Sequence, residues 1–162
     1  MSGDAPAADL DRLRRDLLRF LRIRERSVQE TVTYLRRRGH APPQIDAAVG
    51  EACGRGFLND ERFARLFLRD RRRLRPMSRR AVRLELARRG VDEAVVETAL
   101  AECDPPWDDP QLAWEAAERR WSRWPEDTRD RRAIGFLQRR GFSPDVIRSV
   151  VGRLGEEAQA GP

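Results

Sequence analysis

Apolar residues recur along this chain at steps of three and four, the spacing of one helical face, and no stretch alternates as a half-buried strand would. Val28, Thr31, Val32 and Leu35 mark one such face. Phe63, Leu66, Phe67 and Leu74 mark a second, and Ala113, Ala117, Trp121 and Trp124 a third. Start signals accompany the stripes. Ser-Val-Gln-Glu at 27–30 is a capping box, in which the serine hydroxyl takes the amide three residues on and the glutamate reaches back. Asp60, Asp92 and Ser143 are placed as N-caps, and Pro42, Pro43 and Pro144 suit a first helical turn. Ala41 offers no side-chain cap. Longer helices are expected over about 11–24, 60–73 and 110–123.

The pattern repeats. Leu-Arg-Arg-Arg-Gly at 35–39, Leu-Ala-Arg-Arg-Gly at 86–90 and Leu-Gln-Arg-Arg-Gly at 137–141 put Gly39, Gly90 and Gly141 at a constant interval of 51 residues. The following residues stay in register: Ile45, Val96 and Ile147; Ala48, Ala99 and Val150; Val49, Leu100 and Val151. Glycine suits each stop because a helix C-terminus often needs a left-handed residue. The paired arginines before it meet the negative end of the helix dipole. Three matched segments at one period are the signature of tandem repeats.

The expected fold is therefore all-α: three tandem three-helix repeats forming an elongated curved array. The repeats are placed at 10–54, 55–104 and 110–154, with flexible tails at 1–9 and 155–162. The proline-rich, polar stretch 104–110 reads as the join between the second and third repeats, and 54–59 as a tighter join between the first two. Stacked repeats present extended surfaces, which suit a polymer better than a small substrate.

Composition narrows the chemistry. The 162 residues carry 33 basic and 27 acidic side chains, a net charge of +6, and every base is arginine. A hydrophobic content of 40% excludes a disordered chain. The basic excess points to an acidic partner, nucleic acid foremost. No apolar run is long enough to span a bilayer, and the small, acidic start of the chain lacks the pattern of a signal peptide. Two cysteines, Cys53 and Cys103, make neither a disulfide framework nor a zinc cage, and Cys103 falls at a core register. His40 is the only histidine, and its counterparts Val91 and Phe142 mark it as a packing residue. Neither an enzyme, a metal nor a cofactor is expected, and the compartment is the cytoplasm.

The densest charge run spans 69–80 and continues to Arg83. It supplies a candidate phosphate-tracking surface of Arg71, Arg72, Arg73, Arg75, Arg79, Arg80 and Arg83, with Arg88 and Arg89 in support. The last two also have a local role as part of the helix stop. Trp121 and Trp124 fall on an inward stripe and read as core, whereas Trp107, within the proline-rich join, is left open between packing and base stacking. Three-helix modules with short turns resemble the helix-turn-helix motif, which leaves a stand-alone DNA-binding protein, sequence-specific or nonspecific, as the alternative. Few Asn or Gln residues are placed to read base edges.

Three stretches resemble the RecX family of bacterial regulatory proteins: Arg26 to Glu30 with Leu35 to Gly39; Gly-Phe-Leu-Asn-Asp-Glu-Arg-Phe-Ala at 56–64; and Arg-Arg-Gly at 88–90 with Gln-Arg-Arg-Gly-Phe-Ser at 138–143. Together they span about 17–154. Thr31 departs from the family's usual leucine, and Arg-Pro-Met-Ser at 75–78 replaces a glycine-containing turn. The resemblance implies a protein that binds the recombinase RecA and lodges in the groove of its filament on single-stranded DNA; free DNA is a further expected ligand, and a monomer is expected. It would inhibit ATP hydrolysis and strand exchange in recombination, DNA repair and the SOS response.

Overall fold

The computed structural model describes residues 4–160. Among them are nine α-helices, one 3₁₀ turn at Glu126–Thr128 and no strand. The helices are α1 (Asp4–Leu21), α2 (Val28–Arg37), α3 (Pro42–Gly54), α4 (Asp60–Leu74), α5 (Arg79–Arg88), α6 (Glu93–Ala101), α7 (Asp109–Trp121), α8 (Arg129–Gln138) and α9 (Pro144–Ala160). They fall into three sequential groups of three, as the repeats require. Residues 4–9 and 155–160, expected as tails, are helical in α1 and α9; the remainder of both tails lies outside the described residues.

The repeat register is visible in burial. Thr31, Val82 and Ala133 occupy one position of the second helix, and Leu35, Leu86 and Leu137 the next inward position; all six are 0% exposed. Thr31 tolerates this site because its hydroxyl donates to the Ser27 carbonyl at 2.9 Å. Each second helix ends in the same motif. The amides of Gly39, Gly90 and Gly141 donate to Arg36, Ala87 and Gln138, and those of His40, Val91 and Phe142 reach back to Leu35, Leu86 and Leu137. This double bond is the Schellman arrangement, and the three glycines sit at φ of +83°, +74° and +80°. The residue after each glycine, His40, Val91 or Phe142, is buried against the helix end.

The chain folds as two compact units divided inside the middle repeat: residues up to 64 with 86–96, and 65–85 with 97 onward. In the first unit α1, α2 and α3 pack on one another. Leu13, Leu17, Leu35, Ile45, Val49, Ala52 and Leu58 form their core. In the second, α7, α8 and α9 pack together around Leu112, Ala113, Ala117, Leu137, Ile147 and Leu154.

Several local expectations change. Asp60 does not cap α4; Asn59 does, its Oδ1 accepting the Arg62 amide at 2.8 Å. Asp60 is freed to accept the Val28 amide at the start of α2 at 2.9 Å. Leu74, expected inside, is 78% exposed because α4 ends there and the chain turns away. Cys103 is half-buried rather than a core residue, and Trp124 is half-buried against Trp121 and Phe136. Trp107 is buried, so the open question there resolves to packing. Asp92 and Ser143 do cap, accepting from the Ala94 and Val146 amides.

Candidate functional site

The arginines singled out from the sequence fall into two groups. Arg71 to Arg83 lie in the second unit, and Arg88 and Arg89 in the first. Many are engaged within their own unit. Arg71 pairs with Glu85 at 2.9 Å and stands over Phe67, and Arg83 grips Glu97 through two bonds of 2.6 and 2.7 Å. That pairing holds the Glu97 carboxyl below its ordinary pKa. Arg72 donates to the Pro106 carbonyl and covers the Trp107 ring, while Arg79 donates to the Trp107 carbonyl. These two guanidiniums hold the proline-rich join. Arg89 pairs with Glu30 at 2.6 Å. Arg73, Arg75, Arg80 and Arg88 are exposed and make no ion pair among the described residues. The dense run is thus partly structural, and its outward-facing charge is smaller than the sequence suggests.

A second basic cluster went unnoticed in the sequence. Arg119 and Arg120 in the last turn of α7 and Arg123 in the turn beyond it line a recess of about 270 Å³ with Arg140, Leu74 and Phe136. Arg120 and Arg140 lie over the Phe136 ring at 5.1 and 4.2 Å. Burial, then the charges of Arg75, Arg120 and Arg139, push the Arg140 pKa down. No carboxylate among the described residues lines this recess. The signal was available: on the helix expected over about 110–123, arginines at i, i+1 and i+4 share a side.

The arginine–glycine segments have a role that neither a helix stop nor ligand binding describes. In the first unit the Ser27 hydroxyl donates to the Arg89 carbonyl at 2.6 Å, and a Cβ on Gly90 would overlap Gln29. In the second unit the Ser78 amide donates to the Arg140 carbonyl at 3.0 Å, Arg140 donates to the Pro76 carbonyl, and a Cβ on Gly141 would stand 2.8 Å from Ala81 Cβ. Ser27 and Ser78 begin the second helices of successive repeats. Each is therefore met by the glycine turn of the repeat that follows. The opening aspartates match this arrangement: Asp60 accepts the Val28 amide and Asp109 accepts the Arg79 amide, at 2.9 and 2.7 Å. Burial raises the pKa of both carboxyls.

His40 is buried, with its Nε2 3.0 Å from Asp16 Oδ2. Arg38 forks onto the same carboxylate at 2.9 and 3.2 Å. Hydrogen bonds from Arg38, then His40, hold Asp16 down at about 2 against the opposing effect of burial. This cluster fixes the end of α2 to α1, with a buried, ionised carboxylate as its hub and an exposed guanidinium on it. No set of three or more His, Cys, Asp or Glu residues able to hold a metal ion occurs among the described residues. None of the described helices is long and apolar enough to cross a membrane.

These features define an all-helical protein of three interlocked three-helix repeats with arginine-rich, partly self-neutralised surfaces. Family models agree repeat by repeat. Residues 14–51, 59–100 and 108–151 match the first, second and third three-helix domains of RecX. The chain is 34% identical to regulatory protein RecX of Halorhodospira halophila, covering 90% of this chain and 89% of that one. It is 35% identical to the RecX of Pseudomonas syringae pv. tomato, covering 95% and 97%, and 32% identical to that of Amycolatopsis mediterranei, covering 82% and 77%. The chain belongs to the RecX family of regulatory proteins. Among solved structures, RecX from Lactobacillus salivarius shares the fold with a TM-score of 0.69 at 21% identity, over 92% of this chain and 98% of that one. A second structure, described as regulatory protein RecX, gives 0.68 at 20% identity over 90% and 73%.

Proposed function

We propose that this chain is a non-enzymatic, cytoplasmic, monomeric regulator that binds RecA and the groove of the RecA–single-stranded DNA filament, restraining ATP hydrolysis and strand exchange. The observation that carries this reading is the match of all three repeats, in order, to the RecX domains. The surface chemistry is compatible. Arg73, Arg75 and Arg80 project from α4, the following turn and α5 without carboxylate partners among the described residues, so each can neutralise a phosphate or an acidic side chain. Arg71, Arg72, Arg79 and Arg83 set the frame that presents them; Arg88 and Arg89, in the first unit, are a contact of their own.

The test is RecA ATPase on single-stranded DNA with added protein. Reversing Arg73, Arg75 and Arg80 to Glu is expected to abolish inhibition while leaving helical content intact. Undiminished inhibition by the folded triple variant would contradict the assignment of this surface. For the stand-alone alternative, the readout is sequence preference: a helix-turn-helix regulator holds one duplex far more tightly than others at physiological salt.

A further inference from the structure

A cleft of about 300 Å³ opens in the first unit between the end of α1, the outer side of α2 and the end of α5. The Phe20 and Tyr34 rings lie parallel there, with centroids 4.1 Å apart and planes 4° from each other. The Arg26 guanidinium stands over the Phe20 ring at 4.1 Å. Its Nε is buried and has no hydrogen-bond partner.

The carboxylate lining the cleft is already committed. Glu30 accepts from Arg24 at 3.2 Å, Arg89 at 2.6 Å and the Ser27 amide at 3.3 Å. Arg37 and Arg88 also line the cleft, are exposed, and make no ion pair among the described residues. Burial, with the nearby charges of Arg24 and Arg89, lowers the Arg26 pKa, so the site's positive charge is incompletely compensated.

Three kinds of ligand carry the required negative charge. A carboxylate-rich peptide or free phosphate would satisfy the arginines and leave the aromatic pair unused. A nucleotide uses both, because its phosphate meets guanidinium forks while its base lies flat on a ring. Such stacking is tolerant of base identity, as expected of a protein that meets arbitrary sequences.

We propose that this cleft holds one nucleotide of a single-stranded nucleic acid, with the base stacked on Tyr34 and the phosphate between Arg37 and Arg88. The assignment deepens the filament-binding reading and rests on it for the identity of the strand. It gives the first unit a strand contact that uses none of Arg73, Arg75 and Arg80.

The experiment is fluorescence anisotropy of a labelled oligothymidylate titrated with the full chain in the absence of RecA. Tyr34→Ala is expected to weaken binding by about 5- to 150-fold, the range for removal of one base–aromatic stack. Tyr34→Phe, which keeps the ring, should bind within about twofold of the parent. An abasic strand of equal length should bind more weakly than oligothymidylate and be indifferent to Tyr34→Ala. The Arg37→Gln, Arg88→Gln double variant should flatten the dependence of log affinity on log salt by about 0.7 for each phosphate that is no longer neutralised. Circular dichroism verifies that each variant is folded.

Four results would overturn the proposal. These are absence of binding by the parent chain at low salt, parental affinity in folded Tyr34→Ala, displacement of the strand by thymidine monophosphate at concentrations matching unlabelled oligothymidylate, and equally effective displacement by polyglutamate. The third would make this a free-nucleotide pocket, and the fourth an acidic-peptide site. Because RecA is absent, failure here leaves the ATPase assay to stand or fall on its own.

Discussion

Gly90 and Gly141 each combine two demands in one residue: a left-handed backbone and room for the preceding repeat. Alanine at Gly39 meets only the first, because no atom stands within 4 Å of its added Cβ. Gly39→Ala should therefore cost about 1 kcal/mol, and Gly90→Ala and Gly141→Ala at least about 2, as read by urea unfolding. Equal costs at all three would show that the close approach contributes nothing. Asp16 gives a pH-dependent counterpart. Its folded pKa of about 2 lies below the ordinary 3.8, so its stabilisation is full above the unfolded value and drains away as the pH falls from there toward the folded one. Asp16→Asn should cost about 1–3 kcal/mol at neutral pH and flatten that acid limb of the stability curve. The sequence placed His40 as a packing residue, and its burial agrees. Its carboxylate partner is 24 residues away on α1, and no local spacing reveals such a pair.

At the scale of elements, period and caps made the second and third helices of each repeat legible. The Schellman glycines and the capping box require only neighbouring residues, so the chain announces them locally. Asp60 shows where local reasoning ends. An aspartate at a helix start reads as that helix's cap, but the adjacent Asn59 takes the role and Asp60 caps α2 instead. Asp109 does the same for α5. Since burial raises both pKa values, ionisation is harder in the folded state. The charged form thus weighs against folding as the pH rises through the folded value. Asparagine keeps the accepting oxygen without the charge. Asp60→Asn should lie within about 0.5 kcal/mol of the parent or above it at neutral pH, whereas Asp60→Ala should cost about 1 kcal/mol. Chemical denaturation of the pair checks this, and equal costs would rule out the tertiary cap.

For the molecule as a whole, the basic excess was legible but its distribution was not. Linear charge density drew attention to the run from Arg69 to Arg83, yet carboxylates brought in by folding engage Arg71 and Arg83, and backbone carbonyls engage Arg72 and Arg79. The recess of Arg119, Arg120, Arg123 and Arg140 is less dense in sequence and has no lining carboxylate among the described residues. Compensation depends on which helices meet, and the one-dimensional chain does not display it. The family and its three domains were legible because the repeat frame spans nearly the entire chain. The central functional claim is tested most directly by co-sedimentation with RecA filaments, with and without single-stranded DNA, using the parent chain and the Arg73→Glu, Arg75→Glu, Arg80→Glu variant. The account predicts that the parent pellets with RecA only where a filament has formed on DNA and that the folded variant stays in the supernatant. A parent chain that remains soluble beside intact filaments would contradict it.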